Sequence, residues 1–214
     1  MTLHQPTGFI IFCREFMSTR TSKMGYYKYA RENYDQPKEM LDELWQQRLV
    51  EWRQQGSVEK IDNPTRIPKA RQLGYKSKNG FTMIRARVNK GGTKRPRLDA
   101  GRKPKNAGQS KYSRKKSKQV IAEQRVSRKF SNLEVLDSYW VAEDGNRKWF
   151  EVIMVNPDHP EIQSDEDLKW IADNRDRAER GVTPAAKSSR GQDHKGTGSE
   201  KVRPSQAAKG NRGK

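Results

Sequence analysis

Apolar residues are scarce in this chain of 214 residues, of which only 31% are hydrophobic. Globular proteins are typically about 45–50% apolar, so the folded core is expected to be small for this length. No run approaches the roughly 18 apolar residues that a membrane-spanning helix needs. The segment GFIIF at residues 8–12 is too short for the hydrophobic region of a secretory signal, and no basic segment precedes it. We therefore expect neither a membrane span nor export.

Residues that carry out chemistry are equally few. The single cysteine, Cys13, excludes an internal disulfide and is typical of a reducing cytosol. The three histidines, His4, His159 and His194, are far apart in the sequence, and no Cys/His spacing fits a zinc site. The chain contains neither a P-loop nor a dinucleotide-binding glycine pattern. The sequence therefore predicts a protein that is not an enzyme and that takes no cofactor, metal or small-molecule substrate.

Negative charge is almost missing from one long window. The whole chain carries 45 lysines and arginines against 26 acids, which gives a net charge of +19. Residues 64–118 hold 19 of these bases and a single acid, Asp99, so this window accounts for nearly all of the net charge. A charge distribution of this kind indicates a polyanion as the partner, either nucleic acid or an acidic membrane surface.

The basic window has three parts. In NPTRIPKARQLGYKSKNG, residues 63–80, two prolines and two glycines predict a loop without regular structure. The next segment, FTMIRARV at 81–88, alternates and predicts a strand with one buried face and one basic face that carries Arg85 and Arg87. Residues 90–118 are rich in glycine, proline and cations. They have little to bury and their charges repel one another, which predicts a basic arm that an anion orders.

Helices and a hairpin flank the basic window. The sequence predicts a short helix at 25–33, a longer one at 35–56 with tryptophans in the core, and another at 118–130. The dipeptide Asp144-Gly145 joins two strand-like runs, 133–142 and 147–155, and predicts a hairpin. We expect a last helix to begin at Ser164, with Asp167 completing a capping box.

Together these elements predict a small α+β fold, in which an antiparallel sheet of about three or four strands packs against helices and carries a long basic arm and a basic C-terminal tail. We divide the chain into an N-terminal extension at 1–23, expected to be disordered, a single domain at 24–180, and a tail at 181–214 without a core of its own. The basic loop 63–80 and the basic arm 90–118 belong to the domain.

The pattern favours RNA over DNA as the polyanion. An arm of this length can thread between RNA helices, whereas many DNA-binding proteins present a short helix to the major groove. No predicted helix has a concentrated basic face with base-reading residues at helical spacing. Tyr75 lies among the cations of the loop, where it either stacks on an unpaired base or packs against the domain, and the sequence leaves both alternatives open.

Several motifs then follow one another in the order known from one protein family. They are the turn NPTR, the loop KARQLGYKSKNG, the glycine-rich basic arm, the strand SYWVAED and the segment FEVIMVNPDHP. In these motifs, over roughly 24–190, the chain resembles the large-subunit ribosomal protein family L-fifteen-e of archaea and eukaryotes, which is unrelated to the bacterial protein of the same number. The segment NPDHPEIQSDEDLKWI and the acid-rich helices resemble archaeal members.

The resemblance implies a non-catalytic, structural constituent of the large ribosomal subunit, acting in translation on the cytoplasmic ribosome. It implies large-subunit ribosomal RNA and neighbouring large-subunit proteins as partners, with no membrane partner. The candidate RNA-binding residues in the loop, strand, arm and tail are Arg66, Lys69, Arg71, Tyr75, Lys76, Lys78, Arg85, Arg87, Lys90, Lys94, Arg95, Arg97, Arg102, Lys103, Lys105, Lys111, Arg114, Lys115, Lys116, Lys118, Lys187 and Arg190.

Two features depart from the family pattern. The tail of the family usually reads SRGL, whereas this chain has Gln192 in place of the leucine and Asp193 after it. Family members begin close to the helix that here reads YYKYARE, so residues 1–16 have no counterpart. We therefore expect translation to start at Met17.

Two other classes of function stay open at this stage. A free chromatin-like or membrane-surface protein could use the same arm, although the sequence has no amphipathic basic helix with a broad apolar face. An RNA-processing enzyme with a basic guide surface would need a catalytic constellation, which the residue pattern does not provide.

Overall fold

A four-stranded antiparallel sheet forms the centre of the protein, in the strand order β1-β2-β4-β3. The structure is a computed structural model that describes residues 25–93, 114, 116–193, 199 and 202. The strands are β1 Val58–Ile61, β2 Phe81–Asn89, β3 Glu134–Glu143 and β4 Arg147–Val155. The α+β class and the small antiparallel sheet that the sequence predicts are both confirmed.

Helices occupy both ends of the described chain and the two faces of the sheet. They are α1 Tyr26–Asp35, α2 Pro37–Met40, α3 Asp42–Gln54, α4 Ile67–Gln72, α5 Lys118–Lys129, α6 Pro160–Gln163, α7 Arg177–Arg180 and α8 Pro184–Ser189, with a 3-10 turn at Lys169–Ile171. The predicted helix at 118–130 is confirmed as α5, which the Ser117 side chain caps by accepting a hydrogen bond from the backbone N–H of Val120.

The hairpin of β3 and β4 is confirmed, and its turn explains why it forms. One carboxylate oxygen of Asp144 accepts hydrogen bonds from the backbone N–H groups of Asn146, at 2.8 Å, and Arg147, at 2.6 Å. An aspartate in this position closes the turn through its own side chain. β2 then pairs with β4 along its whole length, so that Phe81 lies opposite Val155 and Asn89 lies opposite Arg147.

Both faces of the sheet are covered. On one face, α3 packs Trp45 and Trp52 into the core, where the ring of Trp52 lies 6.2 Å from that of Trp149. On the other face, Ile84 and its neighbours in β2 pack against α5. The predicted buried face of β2 is confirmed in Ile84, Ala86 and Val88, whereas the basic face is also covered at Arg85, because Trp52 of α3 lies over it.

Three further predictions need correction. The predicted helix at 35–56 is divided into α2 and α3. The loop 63–80 contains the short helix α4, because Pro68 lies in its first turn, where a proline removes no helical hydrogen bond. Ser164 ends α6 rather than beginning a helix, and the residues after it form turns before the short 3-10 segment.

The chain beyond residue 180 continues to pack on the domain. The side chain of Thr183 caps α8 by accepting from the backbone N–H of Ala186, and both residues are buried. Thr183 also donates to the carboxylate of Glu123 in α5, at 2.6 Å, and the backbone N–H of Ser117 donates to the Ser189 hydroxyl, at 2.9 Å. The first part of the predicted tail is thus fastened to α5.

Candidate nucleic-acid interface

The two ends of the basic arm lie side by side. Arg114 donates from Nε to the hydroxyl of Thr93 at 2.7 Å, and Lys118 donates from Nζ to the carbonyl of Gly91 at 2.6 Å. The backbone N–H of Lys90 donates to the carbonyl of Asn146 at 2.7 Å, next to the β3–β4 turn. The arm therefore leaves the domain and returns to it at one place, the edge formed by the end of β2 and the start of α5.

Cations from several elements converge at this edge. We call them the arm-base cluster. Its members are Arg87 of β2, Arg114 in the segment before α5, Lys118 and Arg125 of α5, and Arg147 and Lys148 of β4. Arg125 donates from Nη1 to the carbonyl of Arg87, and Arg87 donates from Nη1 to the carbonyls of Arg53, at 2.9 Å, and Gln55, at 3.0 Å. These bonds hold the guanidinium of Arg87 in place.

The electrostatics of the arm-base cluster favour an anion. Partial burial lowers the pKa of Arg87, and the like charges of Arg147 and Arg125 lower it further. The pKa of the Lys118 ammonium group is also lowered, mainly by desolvation and further by the like charges of Arg114 and Lys148. Two acids compensate part of this charge, since Lys148 pairs with Glu143 at 2.8 Å and Asp144 raises the pKa of Arg87. The like charges of Arg87, Arg125 and Arg147 still repel one another, and a phosphate between them would remove that repulsion and gain charge-assisted hydrogen bonds.

Sequence reasoning missed three members of this cluster, Arg125, Arg147 and Lys148. They lie outside the basic window, in a helix and a strand whose local charge is ordinary. Only the pairing of β2 with β4 and the packing of α5 on β2 bring them to the arm. Lys148 lies opposite Val88 in that register, so knowledge of the sheet order would have found it.

A second basic surface lies in a groove between α1 and α4. The groove has a volume of about 640 Å³, and its walls include Tyr27, Tyr34, Arg66 and Arg71. Arg71 donates from Nη1 to the hydroxyl of Tyr27. The guanidinium of Arg66 lies 5.3 Å from the centre of the Tyr34 ring and donates to the carbonyl of Trp140 at 3.2 Å. Lys69 also lines the groove, so three of the candidate loop cations lie together here.

Two other loop cations have acidic partners within the protein. The ammonium group of Lys76 lies 2.8 Å from Asp165 and 3.1 Å from Asp167, and that of Lys78 lies 2.5 Å from Asp165. Hydrogen bonds from the two lysines lower the pKa of Asp165 to about 2. The same bonds, from Asp165 and then Asp167, raise the pKa of Lys76. The loop is thereby fastened to the chain that follows α6.

Tyr75 and Arg85 face the protein interior. The ring of Tyr75 packs edge-on against Phe81, with 5.7 Å between ring centres, so the structure favours the packing alternative for this tyrosine. Arg85 lies 3.6 Å from the buried carboxylate of Glu151, and its guanidinium lies 4.0 Å from the centre of the Trp52 ring. Arg85 therefore has partners within the sheet and α3, and its assignment as an RNA-binding residue stays a prediction.

The remaining candidates are divided between described and undescribed parts of the chain. Lys90 pairs with Glu143 at 2.9 Å, Lys116 donates to Gln124 at 2.8 Å, Arg190 donates to the carbonyl of Gly181 at 2.7 Å, and Lys187 is exposed on α8. The arm residues outside the described part are Lys94, Arg95, Arg97, Arg102, Lys103, Lys105, Lys111 and Lys115.

Two buried acids fasten the elements that carry the cations. Glu151 accepts hydrogen bonds from the backbone N–H of Thr65 at 2.9 Å and from the hydroxyl of Tyr139 at 2.5 Å. Glu123 accepts from Ser138 at 2.5 Å and from Thr183, and burial raises its pKa. Across the residues that the structure describes, no three His, Cys, Asp or Glu side chains form a metal-binding group. No helix in that part of the chain has the length and apolarity to cross a membrane.

Comparisons with known proteins identify the family. A family model described as Ribosomal L15 matches residues 25–209. The chain belongs to this family. Its relatives include proteins named large ribosomal subunit protein eL15, and the one from Methanocella arvoryzae is 50% identical over 191 residues, which cover 88% of this chain and 97% of the relative. The eL15 of Haloarcula marismortui is 48% identical with the same coverage, and that of Halobacterium salinarum is 45% identical over 84% of this chain and 93% of the relative. The family expected from the sequence motifs is confirmed.

Proposed function

We propose that this eL15-family protein is a structural constituent of the large ribosomal subunit on the cytoplasmic ribosome, and that it binds large-subunit ribosomal RNA through its basic loop, arm and tail. Neighbouring large-subunit proteins are its further partners. The observation that carries the proposal is the arm-base cluster, in which cations from β2, β4 and α5 are held together at the base of a basic arm.

Phosphate is the ligand that this cluster fits best. Guanidinium and ammonium groups neutralise phosphates and release condensed counterions, which gives affinity without reading base sequence. Because RNA helices hide their major-groove base edges from side chains, proteins recognise folded RNA mainly by shape and backbone. The fixed guanidinium of Arg87 and the neighbouring charges of Arg125 and Arg147 supply a positioned anion site of this kind.

The arm extends the same surface. Its two described ends, at Thr93 and Arg114, meet at the cluster, so the arm adds its cations to those that the domain already carries there. Glycines let a backbone approach a polymer closely, and prolines reduce the entropy lost when a segment is ordered. The domain thus places the arm, and the arm increases the number of phosphates neutralised.

The test is the salt dependence of binding to deproteinised large-subunit RNA. One triple variant changes Arg125, Arg147 and Lys148 to Gln, and a matched control changes three exposed lysines elsewhere, Lys38, Lys60 and Lys169, to Gln. For the cluster variant, we expect the slope of log K against log salt to become shallower by roughly 0.7–0.9 for each phosphate that the variant no longer neutralises. The control should change the slope less.

Two outcomes of this assay would contradict the proposal. Equal slopes for the cluster variant, the control and the wild type would show that the arm-base cluster does not neutralise phosphates of the RNA. Tighter binding of the wild type to duplex DNA than to ribosomal RNA at one fixed salt concentration would favour the chromatin-like alternative.

A further inference from the structure

We propose that the groove between α1 and α4 binds one unpaired nucleotide, with its base stacked on Tyr27 and its phosphate held by Arg31 and Arg71. The proposal rests on the proposed function, because the nucleotide would belong to the same ribosomal RNA. It adds a base-binding site to a protein whose arm-base cluster fits phosphates alone.

The aromatic residues of α1 provide the first observation. Tyr26, Tyr27 and Tyr29 have 69%, 44% and 55% of their surface exposed. The Tyr27 ring has Tyr26 edge-on beside it, with 5.6 Å between ring centres, and the Arg71 guanidinium 5.5 Å from its own centre. These contacts still leave nearly half of Tyr27 exposed, which is the surface on which a base would stack. Tyr27 is the one of the three that lines the groove, and its hydroxyl is held by Arg71.

The walls of the groove are preformed. The Tyr34 hydroxyl donates to the carbonyl of Thr65 at 2.7 Å and accepts from Arg48 at 3.1 Å. Arg66 is held by the carbonyl of Trp140 and lies over the Tyr34 ring. Neither wall needs to reorganise when a ligand enters, which lowers the cost of binding.

Charge and size select a nucleotide over other ligands. Among the residues that line the groove, five are basic and one is acidic, Asp35; the basic ones are Lys28, Arg31, Arg66, Lys69 and Arg71. A ring beside guanidinium groups binds a flat base and its phosphate together, since stacking and charge act on adjoining parts of the ligand. The volume of about 640 Å³ lies in the range of roughly 300–1,000 Å³ typical of small-ligand sites. A duplex hides the faces of its bases, so the base must be unpaired.

The experiment measures binding of the full chain to a ten-nucleotide single-stranded RNA with 2-aminopurine at its centre, and to the duplex of the same sequence. With the wild type, we expect the fluorescence of the single strand to be quenched by stacking. Tyr27→Ala should remove the quenching and weaken single-strand binding about tenfold, while duplex binding stays within about twofold. Tyr27→Phe retains the ring and should retain the quenching.

The matched control is Tyr29→Ala, which removes an exposed tyrosine from the same helix but outside the groove. Arg31→Gln, at an exposed position of α1, is a second variant and should weaken single-strand binding several-fold. Circular dichroism establishes that each variant is folded. If Tyr27→Ala does not fold, two other results decide the question: the weaker single-strand binding of Arg31→Gln and the quenching that Tyr27→Phe retains.

The inference is overturned if Tyr27→Ala, or Arg31→Gln in its place, binds and quenches the single strand as the wild type does. It is also overturned if a decaglutamate peptide displaces the RNA from the wild type but not from Tyr27→Ala, which would make the groove a peptide site. Either result leaves the steep salt dependence of ribosomal RNA binding intact, whereas failure of the proposed function removes that dependence in the wild type itself.

Discussion

Glu151 links the interior of the sheet to the basic loop. Its carboxylate is fully buried, accepts hydrogen bonds from Thr65 and Tyr139, and faces the guanidinium of Arg85. Burial raises the pKa of the Tyr139 phenol, and the charge of Glu151 raises it further, so the phenol stays protonated and remains a donor. A charge placed this deeply is tolerated only because donors surround it.

Replacing Glu151 by Gln should destabilise the protein by about 3–5 kcal/mol, because the buried guanidinium of Arg85 would lose its counter-charge. Chemical denaturation monitored by tryptophan fluorescence measures the free energy of unfolding. The control, Glu166→Gln, changes an exposed acid and should stay within about 0.5 kcal/mol of the wild type. A decrease of less than about 1 kcal/mol for Glu151→Gln would show that Arg85 finds another partner.

At the residue scale, the sequence identifies which cations the chain contains but not which of them are free to bind an anion. Arg85 alternates with apolar residues in β2, a pattern that normally marks a solvent-facing side of a strand. Its burial depends on Trp52, which lies 33 positions earlier in the chain and reaches it only after α3 packs on the sheet. Arg66, Lys69 and Arg71 were predicted individually, and their meeting with the tyrosines of α1 required the fold.

At the element scale, the segments with strong local signals were predicted. The Asp144-Gly145 turn, the alternation of β2 and the helical pattern at 118–130 each act over a few residues. β1 was missed because its four residues owe their conformation to pairing with β2. α4 was missed because Pro68 indicates a helix breaker unless the helix start is known.

The contact between the basic loop and the chain after α6 should depend on pH. Lys76 and Lys78 hold the pKa of Asp165 at about 2 in the folded protein, below its ordinary value of 3.8. A depressed carboxylate pKa gives stability that is fully present above the unfolded value and is lost as the pH falls through the folded value. We therefore expect this contribution at pH above about 4, and its loss as the pH falls toward 2.

Denaturant midpoints of the wild type and Asp165→Asn, measured from pH 7 to pH 2, test this expectation. The wild type should be the more stable of the two at neutral pH, and the difference should shrink below pH 4. The control is Asp158→Asn, an exposed acid whose partner is Arg175 and which makes no ion pair with the basic loop among the described residues. A difference that is independent of pH down to pH 2 would show that the charge of Asp165 does not hold the loop.

At the scale of the whole molecule, folding and anion binding use different residues. Two apolar clusters on the faces of one sheet, together with buried Glu123, Glu151 and Arg177, hold the domain together. The cations of the arm-base cluster lie at one edge and repel one another. The charge distribution indicates this division only in part, since Arg125, Arg147 and Lys148 lie outside the basic window and Arg85, which packs in the interior, lies within it.

The most direct test of the central claim, that ribosomal RNA is the anion this surface binds, is sedimentation of a native lysate through a sucrose gradient. The protein is detected in moderate and in high salt, with and without ribonuclease. We expect it to migrate with large ribosomal subunits in both salt conditions, because many phosphate contacts act together, and to leave them after ribonuclease treatment. Protein that stays at the top of the gradient, or leaves the subunits in moderate salt, would contradict the account.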